Sequence, residues 1–478
     1  MTTASAGAPA QQSVKRPFFS RYKREIGAIL GVAVALLIMA LPIEGLSPEG
    51  KKCLAISLFG VVWWAMGVLQ PGYTALLMLT GWVLFNVAPA ETVFEMWTSP
   101  LVYLVIGGYL IAAAVDSSGL GRRISYAFMT RFVSSYKSVI ISAYVMGLLL
   151  SFLIPHPFPR SFLIMSIMAG IIKSAKLPAK DAANIGLAVF AGSAPTSMWI
   201  LTGDSLLNVV AGTVNGTTLS WIDWFKYMSV PGLAASALTC LIQLFLFKPS
   251  VEFTVDKEAL RKEAAQLGPM SAKEKRTLFW VGLAVLFWAT DAVHGIHPGW
   301  IAVLAALGLA LPRIGDVLKP SSWSSVPLQT LFFLIAAMGI GKVGGYTGMN
   351  EWVANLVLPA TAPSNPFVCA AVVTAVSVGI HMVLGSVLAV LGIVAPTMIT
   401  FATSAGWDPL VGSLLCYIAI LGHWILPMHS MNVLVGVGES GGYYNDIDAA
   451  KLGLPVTLVV FIVNILVAIP WWMVTGLI

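Results

Sequence analysis

Near residues 25–42, 53–70, 72–88 and 100–116 the chain runs through uncharged or nearly uncharged apolar stretches. Each is long enough to cross a bilayer as a helix. Nothing else in the sequence narrows the fold as much, because a helix satisfies all its backbone groups internally where no water can reach them. Composition agrees: 58% of residues are hydrophobic and 10% charged, against roughly 25% charged in a soluble protein. The chain therefore reads as an all-α polytopic membrane protein. Cys53, Cys240, Cys369 and Cys416 all lie in apolar segments without metal or disulfide spacing and read as small core residues.

The charges set the topology. Residues 1–24 form a tail whose basic run from Lys15 to Arg24 places the N-terminus in the cytoplasm. Counting crossings puts 117–137 inside, with Arg122, Arg123, Arg131 and Lys137, and 89–99 outside, with only Glu91 and Glu95. Lys173, Lys176 and Lys180 return a cytoplasmic signature after segment 138–172. Basic residues on both sides of that segment call for an even number of crossings or none. Its arms, about 17 and 12 residues, flank the break Ser151–Ser161, which carries three prolines, His156 and Arg160. The second arm is too short to span, so a re-entrant hairpin dipping from the cytoplasm satisfies both constraints. An ordinary pair of spans with a proline-rich outer turn is the alternative. Such breaks are tolerated only where freed backbone faces protein or a water-filled cavity, and an intramembrane charge is a functional hypothesis by default.

Residues 184–210 form a further crossing, interrupted at Gly192–Ser197 and Thr202–Ser205, and 228–247 returns to a hydrophilic segment, 248–276, read as a cytoplasmic linker containing a surface helix. The first half is thus 25–247 and the second 277–478. The second half holds spans 277–291, 298–312 and 325–341, a weakly polar stretch 342–364 and a hairpin candidate, 365–403, interrupted around His381–Ser386. A broken span, 409–437, follows with Gly422-His423 and Pro427–Ser430, then a last span, 453–477. Only Lys51, Lys52, Lys226 and Lys342 fall outside; apart from Arg160, every other Lys and Arg falls inside. About 11 crossings and two hairpins result, and the C-terminus lies outside. Tyr109–Ala113 followed by Gly119-Leu120 echoes Leu334–Ala337 followed by Gly348-Met349, in opposite orientation. Paired interrupted segments in an inverted repeat point to a transporter's binding site, where half-helix N-termini offer free N–H groups to an anion.

Several blocks together resemble the divalent anion/sodium symporter family, in particular its citrate/succinate antiporter and 2-oxoglutarate/malate translocator branch. Gly107-Gly108-Tyr109-Leu110 through Gly119-Leu120-Gly121-Arg122-Arg123 is similar to the family's Gly-Gly-Phe/Tyr-Leu … Gly-Leu-Gly-Arg-Arg block. Ser197–Gly203 resembles that branch's Ser-Ala-Met-Phe-Leu-Thr-Gly, and His381–Val390 its His-Tyr-x-x-Ala-Ser-x-Thr-Ala-His. The resemblance runs from Lys15 onward. It implies a homodimer with a static scaffold, mobile hairpins, elevator-type alternating access, and hairpin-tip Ser-Asn-Thr motifs that bind substrate carboxylates and shape sodium sites. Here the first tip keeps Pro155, Arg160 and Ser161 but replaces Ser-Asn-Thr with His156-Pro157-Phe158. The second keeps Ser386 and has Leu388 where threonine is expected.

Arg160 is the leading substrate contact, with interfacial snorkelling or pairing with Asp204 as the alternatives. His156 and Ser161 beside it are candidate donors, set against a structural turn and back-bonding to the helix. Ser197, Thr202 and Asn208 lie in the first broken span; Ser386, Ser430 and Asn432 are the second half's counterparts. Asp204 and His429 are the candidates for handling a coupling ion. His381 and His423 read more simply as packed histidines. Gly203-Asp204-Ser205-Leu206 spells a lipase signature, but it sits mid-membrane without a catalytic histidine in context.

The expected function is secondary active transport of a small organic dianion, a di- or tricarboxylate or another anion such as a sulfonate. It would run as Na⁺ symport or anion exchange, with the lipid bilayer as a partner and no nucleic acid. An intramembrane enzyme is the alternative, and it lacks HExxH or clustered aspartates; a family member with lost or repurposed transport is another. No cofactor or structural metal is expected, and the bacterial inner membrane is the expected location.

Overall fold

The computed structural model describes residues 22–214, 217–357, 363–384, 387–426, 429–438 and 441–478. Most of the N-terminal tail and the candidate Ser386 lie outside the described residues. Helices α1 (Lys23–Ala40), α2 (Pro48–Met66), α3 (Pro71–Leu84) and α4 (Pro100–Ser118) follow the first four apolar runs. Three of these four open on proline, whose missing N–H would be unpaired at a first helical position anyway. Ser47 and Ser99 accept backbone N–H bonds at the starts of α2 and α4. Then come α5 (Leu120–Phe132), α6 (Tyr136–Leu150), α7 (Pro157–Ser174) and α8 (Ala179–Ser193). After α8 the chain breaks into two 3₁₀ turns, Pro195–Ser197 and Leu201–Asp204, before the short α9 (Leu207–Ala211). A two-stranded ribbon, Thr213–Val214 against Thr217–Thr218, leads into α10 (Trp221–Leu246). The linker contains α11 (Lys257–Gln266).

The second half repeats that order: α12 (Ala272–Ala289), α13 (Pro298–Ala310), α14 (Leu328–Tyr346), α15 (Met349–Val357), α16 (Pro366–Leu384), α17 (Val387–Ser404) and α18 (Pro409–Leu421). A second break leads to short α19 (Met431–Val435), then α20 (Asp446–Ile462), a π turn (Val463–Ala468) and α21 (Ile469–Thr475). Gly119 (φ 82°) and Gly348 (φ 77°) occupy the same place in the two halves, each a left-handed residue immediately before a new helix.

Four differences from the sequence expectation have local causes. The second arm of the first hairpin is 18 residues, not about 12, because Pro157 and Pro159 lie inside its first turn rather than in the break. Arm length therefore no longer argues for re-entrance, and only the basic residues at both ends do. Helix α16 continues past His381 to Leu384. The stretch read as weakly polar is largely helical, the end of α14 and all of α15. The last helix starts at Asp446, where an Asn445/Asp448 capping box closes its first turn.

By length and composition α4, α10, α14 and Asp446–Thr475 can each cross a membrane. Ile29, Leu36, Phe245, Leu286, Leu458 and Val474 expose large apolar side chains outward, as a lipid-facing surface requires. The halves interlock reciprocally. Helix α4 of the first half packs on α13 of the second, and α3 of the first on α14 of the second. A Cβ at Gly107 would stand 2.7 Å from the carbonyl carbon of Ala302, so this contact closes only with glycine. The broken spans exchange partners in the same way, α8 with α19 and α18 with α9. Such pairwise exchange is what a two-fold relation between two patches produces.

Polar contacts gather the two ends of the bundle. Lys342 Nζ sits 2.9 Å from Glu95 at the end expected outside. At the other end the linker is pinned along its length. Asp181 accepts from the Ser250 N–H and hydroxyl, Ser134 O from the Val255 N–H, and Glu263 from the Tyr126 hydroxyl. Arg123 donates to the Leu267 and Gly268 carbonyls and pairs with Glu274 at 2.6 Å, next to the α12 capping box. The Arg123 guanidinium holds the Glu274 carboxyl below its usual range.

Candidate functional site

The tip between α6 and α7 docks on the first break. Ser205 N–H donates to Pro155 O at 3.1 Å, and Trp199 Nε1 to Ser151 Oγ at 2.9 Å. Arg160, in the first turn of α7, is fully buried. It donates to Ile154 O (3.2 Å), Gly203 O (3.0 Å) and Ser197 Oγ (2.5 Å). It does not reach the surface, and it forms no close ion pair with Asp204, whose carboxylate acts on it through space. Its Nε and the hydroxyls of Ser161 and Ser205 are buried without hydrogen-bond partners.

The start of α7 departs from the expected anion-binding helix end. Of its early backbone groups, Pro157 and Pro159 have no N–H, and the Phe158 N–H donates to His156 Nδ1. That bond leaves the His156 hydrogen on Nε2, which contacts the Tyr109 hydroxyl at 2.9 Å. His156 thus caps the helix and packs between Tyr109 and Phe158.

The remaining first-half candidates each hold part of the first break together. Asn208 Nδ2 donates to the carbonyls of Ser197, Ile200 and Leu201, and its Oδ1 accepts from the Tyr417 hydroxyl on α18. Ser413 Oγ adds a second link across the halves, to Ala211 O at 2.7 Å. Thr202 Oγ1 accepts from Trp221 Nε1. Asp204 Oδ1 accepts from the Leu206 and Leu207 N–H groups and so caps α9.

In the second half, Ser430 caps α19 by accepting from Val433 N, and Asn432 lies beside it, buried. Neither is joined to the Arg160 group by a hydrogen bond among the described residues. What the break does bring together is three fully buried histidines, His381, His423 and His429, with ring centroids 4.8–5.1 Å apart. His381 and His423 had read as isolated packed histidines. The signal was present: half of the chain's six histidines fall at the second half's interruptions. Tyr417, and the pairing of Tyr109 with His156, carry no signal in the sequence, since a tyrosine in an apolar run bears no mark of its partner. Among the described residues no His, Cys, Asp and Glu group has the arrangement of a metal site.

The family description "Sodium:sulfate symporter transmembrane region" matches residues 23–478. The chain belongs to that family. This sodium:sulfate symporter family member is similar along nearly its whole length to several bacterial and plant proteins. It is 25% identical to a "Membrane protein" of Cupriavidus necator, over 93% of this chain and 92% of that one. It is 24% identical to "Dicarboxylate transporter 2, chloroplastic" of Spinacia oleracea, over 95% and 83%. It is 23% identical to "Inner membrane protein YbhI" of Escherichia coli, over 91% and 96%. The family is one of membrane transporters, not enzymes.

Proposed function

We propose that this family member is a secondary active transporter of small organic dianions, di- or tricarboxylates or a similar anion such as a sulfonate. Arg160 carries the reading. A buried guanidinium normally has its donors satisfied, yet its Nε–H is unpartnered beside the unpartnered Ser161 and Ser205 hydroxyls. Nε with Nη2 is the edge on which arginine grips a carboxylate with two parallel bonds. Because Pro157 and Pro159 remove helix-end donors, the positive charge for the anion comes from this side chain. The chloroplast relative's dicarboxylates fit such a site.

Elevator-type movement is supported by the contacts of the first half. Helices α3, α4, α13 and α14 grip one another across the halves, while the α6–α7 hairpin adjoins the first broken span; in the second half α17 packs both on α18 and on α14. The hairpins are read as re-entrant, the N-terminus as cytoplasmic, the C-terminus as external, the assembly as a homodimer and the location as the bacterial inner membrane. Sodium is the coupling ion that the family description suggests, and anion exchange is the other mode. A changed cargo is the second reading, favoured by His156-Pro157-Phe158 standing where the family's Ser-Asn-Thr would be.

Uptake into proteoliposomes of succinate, malate, 2-oxoglutarate, citrate and a sulfonate, with and without Na⁺, tests both readings. Losing a two-bond carboxylate contact costs about 3 kcal/mol, or about 100-fold in uptake. Arg160→Ala is expected to show that loss, and Arg160→Lys, which keeps the charge without the fork, an intermediate one. Wild-type uptake by Arg160→Ala would overturn the site; preference for the sulfonate over every carboxylate favours the changed cargo.

A further inference from the structure

Two of the three histidines of the second half are hydrogen-bonded to each other and the third to the backbone, which restricts where their hydrogens are. His429 Nδ1 accepts from two backbone donors, Ile425 N at 3.1 Å and Leu426 N at 3.2 Å. Its hydrogen is therefore on Nε2, and it offers no lone pair to a cation. His381 Nδ1 and His423 Nδ1 lie 3.0 Å apart, so one donates and the other accepts. The donating ring then has a bare Nε2 and the accepting ring an Nε2–H. All three Nε2 atoms are buried and without partners, an arrangement that costs about 1–3 kcal/mol for each such group and that packing alone does not account for.

We infer that His381 and His423 form a proton-binding site that takes up one proton together with the anion. This rests on the transporter reading and names the coupled cation for its second half. The proton adds to the bare Nε2 while the Nδ1–H···Nδ1 bond stays in place, so one charge is shared by two rings through a charge-assisted bond. Imidazole nitrogens suit a proton and not sodium, a hard cation that takes oxygen ligands.

Among the described residues no carboxylate answers the charge. Titratable side chains on the surrounding helices are Cys369 on α16, Cys416 and Tyr417 on α18, Cys240, Asp223, Lys226 and Tyr227 on α10, Asp446, Asp448 and Lys451 on α20, and Glu49, Lys51, Lys52 and Cys53 on α2. None of these is hydrogen-bonded to the three rings. A buried charge without a counter-ion is expensive, so the protonated pair is reached when a dianion supplies one. The site for that anion is connected to the histidines through protein. Arg160 bonds Ser197, Asn208 bonds the Ser197 carbonyl, Tyr417 bonds Asn208, and His423 follows two residues after the helix that carries Tyr417.

The test uses the full-length protein in proteoliposomes, with the membrane potential clamped at zero and succinate as probe. One proton per anion raises steady accumulation about tenfold for each unit of inward pH gradient, and His381→Gln and His423→Gln are expected to abolish that dependence. Accumulation that follows Na⁺ and ignores pH, or glutamine variants that keep the pH dependence, would overturn the inference. A second measurement is independent of transport: ¹⁵N-histidine NMR of the wild-type protein with succinate, between about pH 5 and 8. Two rings are expected to change together for a single proton while the third keeps a bare Nδ1. Three independent titrations, or none, would reject the shared site. If no anion is taken up in any mode but the paired titration is seen, the transporter reading falls and the proton site stands.

Discussion

Replacing Tyr417 with phenylalanine removes one oxygen and leaves the ring, which packs edge-on against Trp224. The hydroxyl lost is the one that donates to Asn208 Oδ1 across the two broken spans. Both residues are fully buried, so water does not replace the bond. An unsatisfied buried acceptor costs about 1–3 kcal/mol, and Tyr417→Phe is expected to destabilise by that amount. Asn208→Ala removes more, because its Nδ2 also serves the Ser197, Ile200 and Leu201 carbonyls; about 3 kcal/mol or more is expected from the same rule. The double variant should then be less damaged than the sum of the singles, by about 1–2 kcal/mol. SDS-induced unfolding in mixed micelles, followed by tryptophan fluorescence, gives the three values of the cycle. Costs that add to within about 0.5 kcal/mol would refute the claim that this bond ties the halves together.

Other expectations concern the scaffold and the linker. Gly107→Val should weaken or prevent assembly of the α4–α13 contact, since even a Cβ would lie 2.7 Å from the Ala302 carbonyl carbon; yield of monodisperse protein in detergent checks this, and normal yield with normal melting contradicts it. The Glu274 carboxyl is held below its usual range by Arg123, so its stabilising contribution is present above the unfolded value of about 4.3 and is lost as pH falls through the lower folded value. Arg123→Gln should remove that part of the acid dependence, read from melting curves taken across acidic pH, and an unchanged acid limb would show the pair to be inert.

The membrane class, the order of helices and both breaks were legible because hydrocarbon forbids charge and unpaired backbone, and the chain marks each exception with Gly, Pro, Ser or His. Arg160 was conspicuous for the same reason. Its partners were not, since Ile154 and Gly203 contribute carbonyls, which every residue has. Pro157 and Pro159 read as breakers in the sequence, yet proline in a first turn is compatible with a helix, and α7 starts at Pro157. Cross-half pairs such as Asn208 with Tyr417, 209 positions apart, leave no trace in local pattern. The histidine cluster was visible only as three separate residues at breaks, and its meaning depends on which nitrogen meets which neighbour.

The pinned linker has a mechanical meaning. Its start is fastened to Asp181 at the base of α8, its middle to Tyr126 and its end to Arg123, both on α5, and that end runs directly into α12, which packs on the scaffold helices α13 and α4. If the first hairpin travels as proposed, its base cannot leave this position while those fastenings hold. The linker is then a latch: engaged at one end of the stroke, it must be undone before the other end is reached, and its fastenings set how long the carrier dwells there.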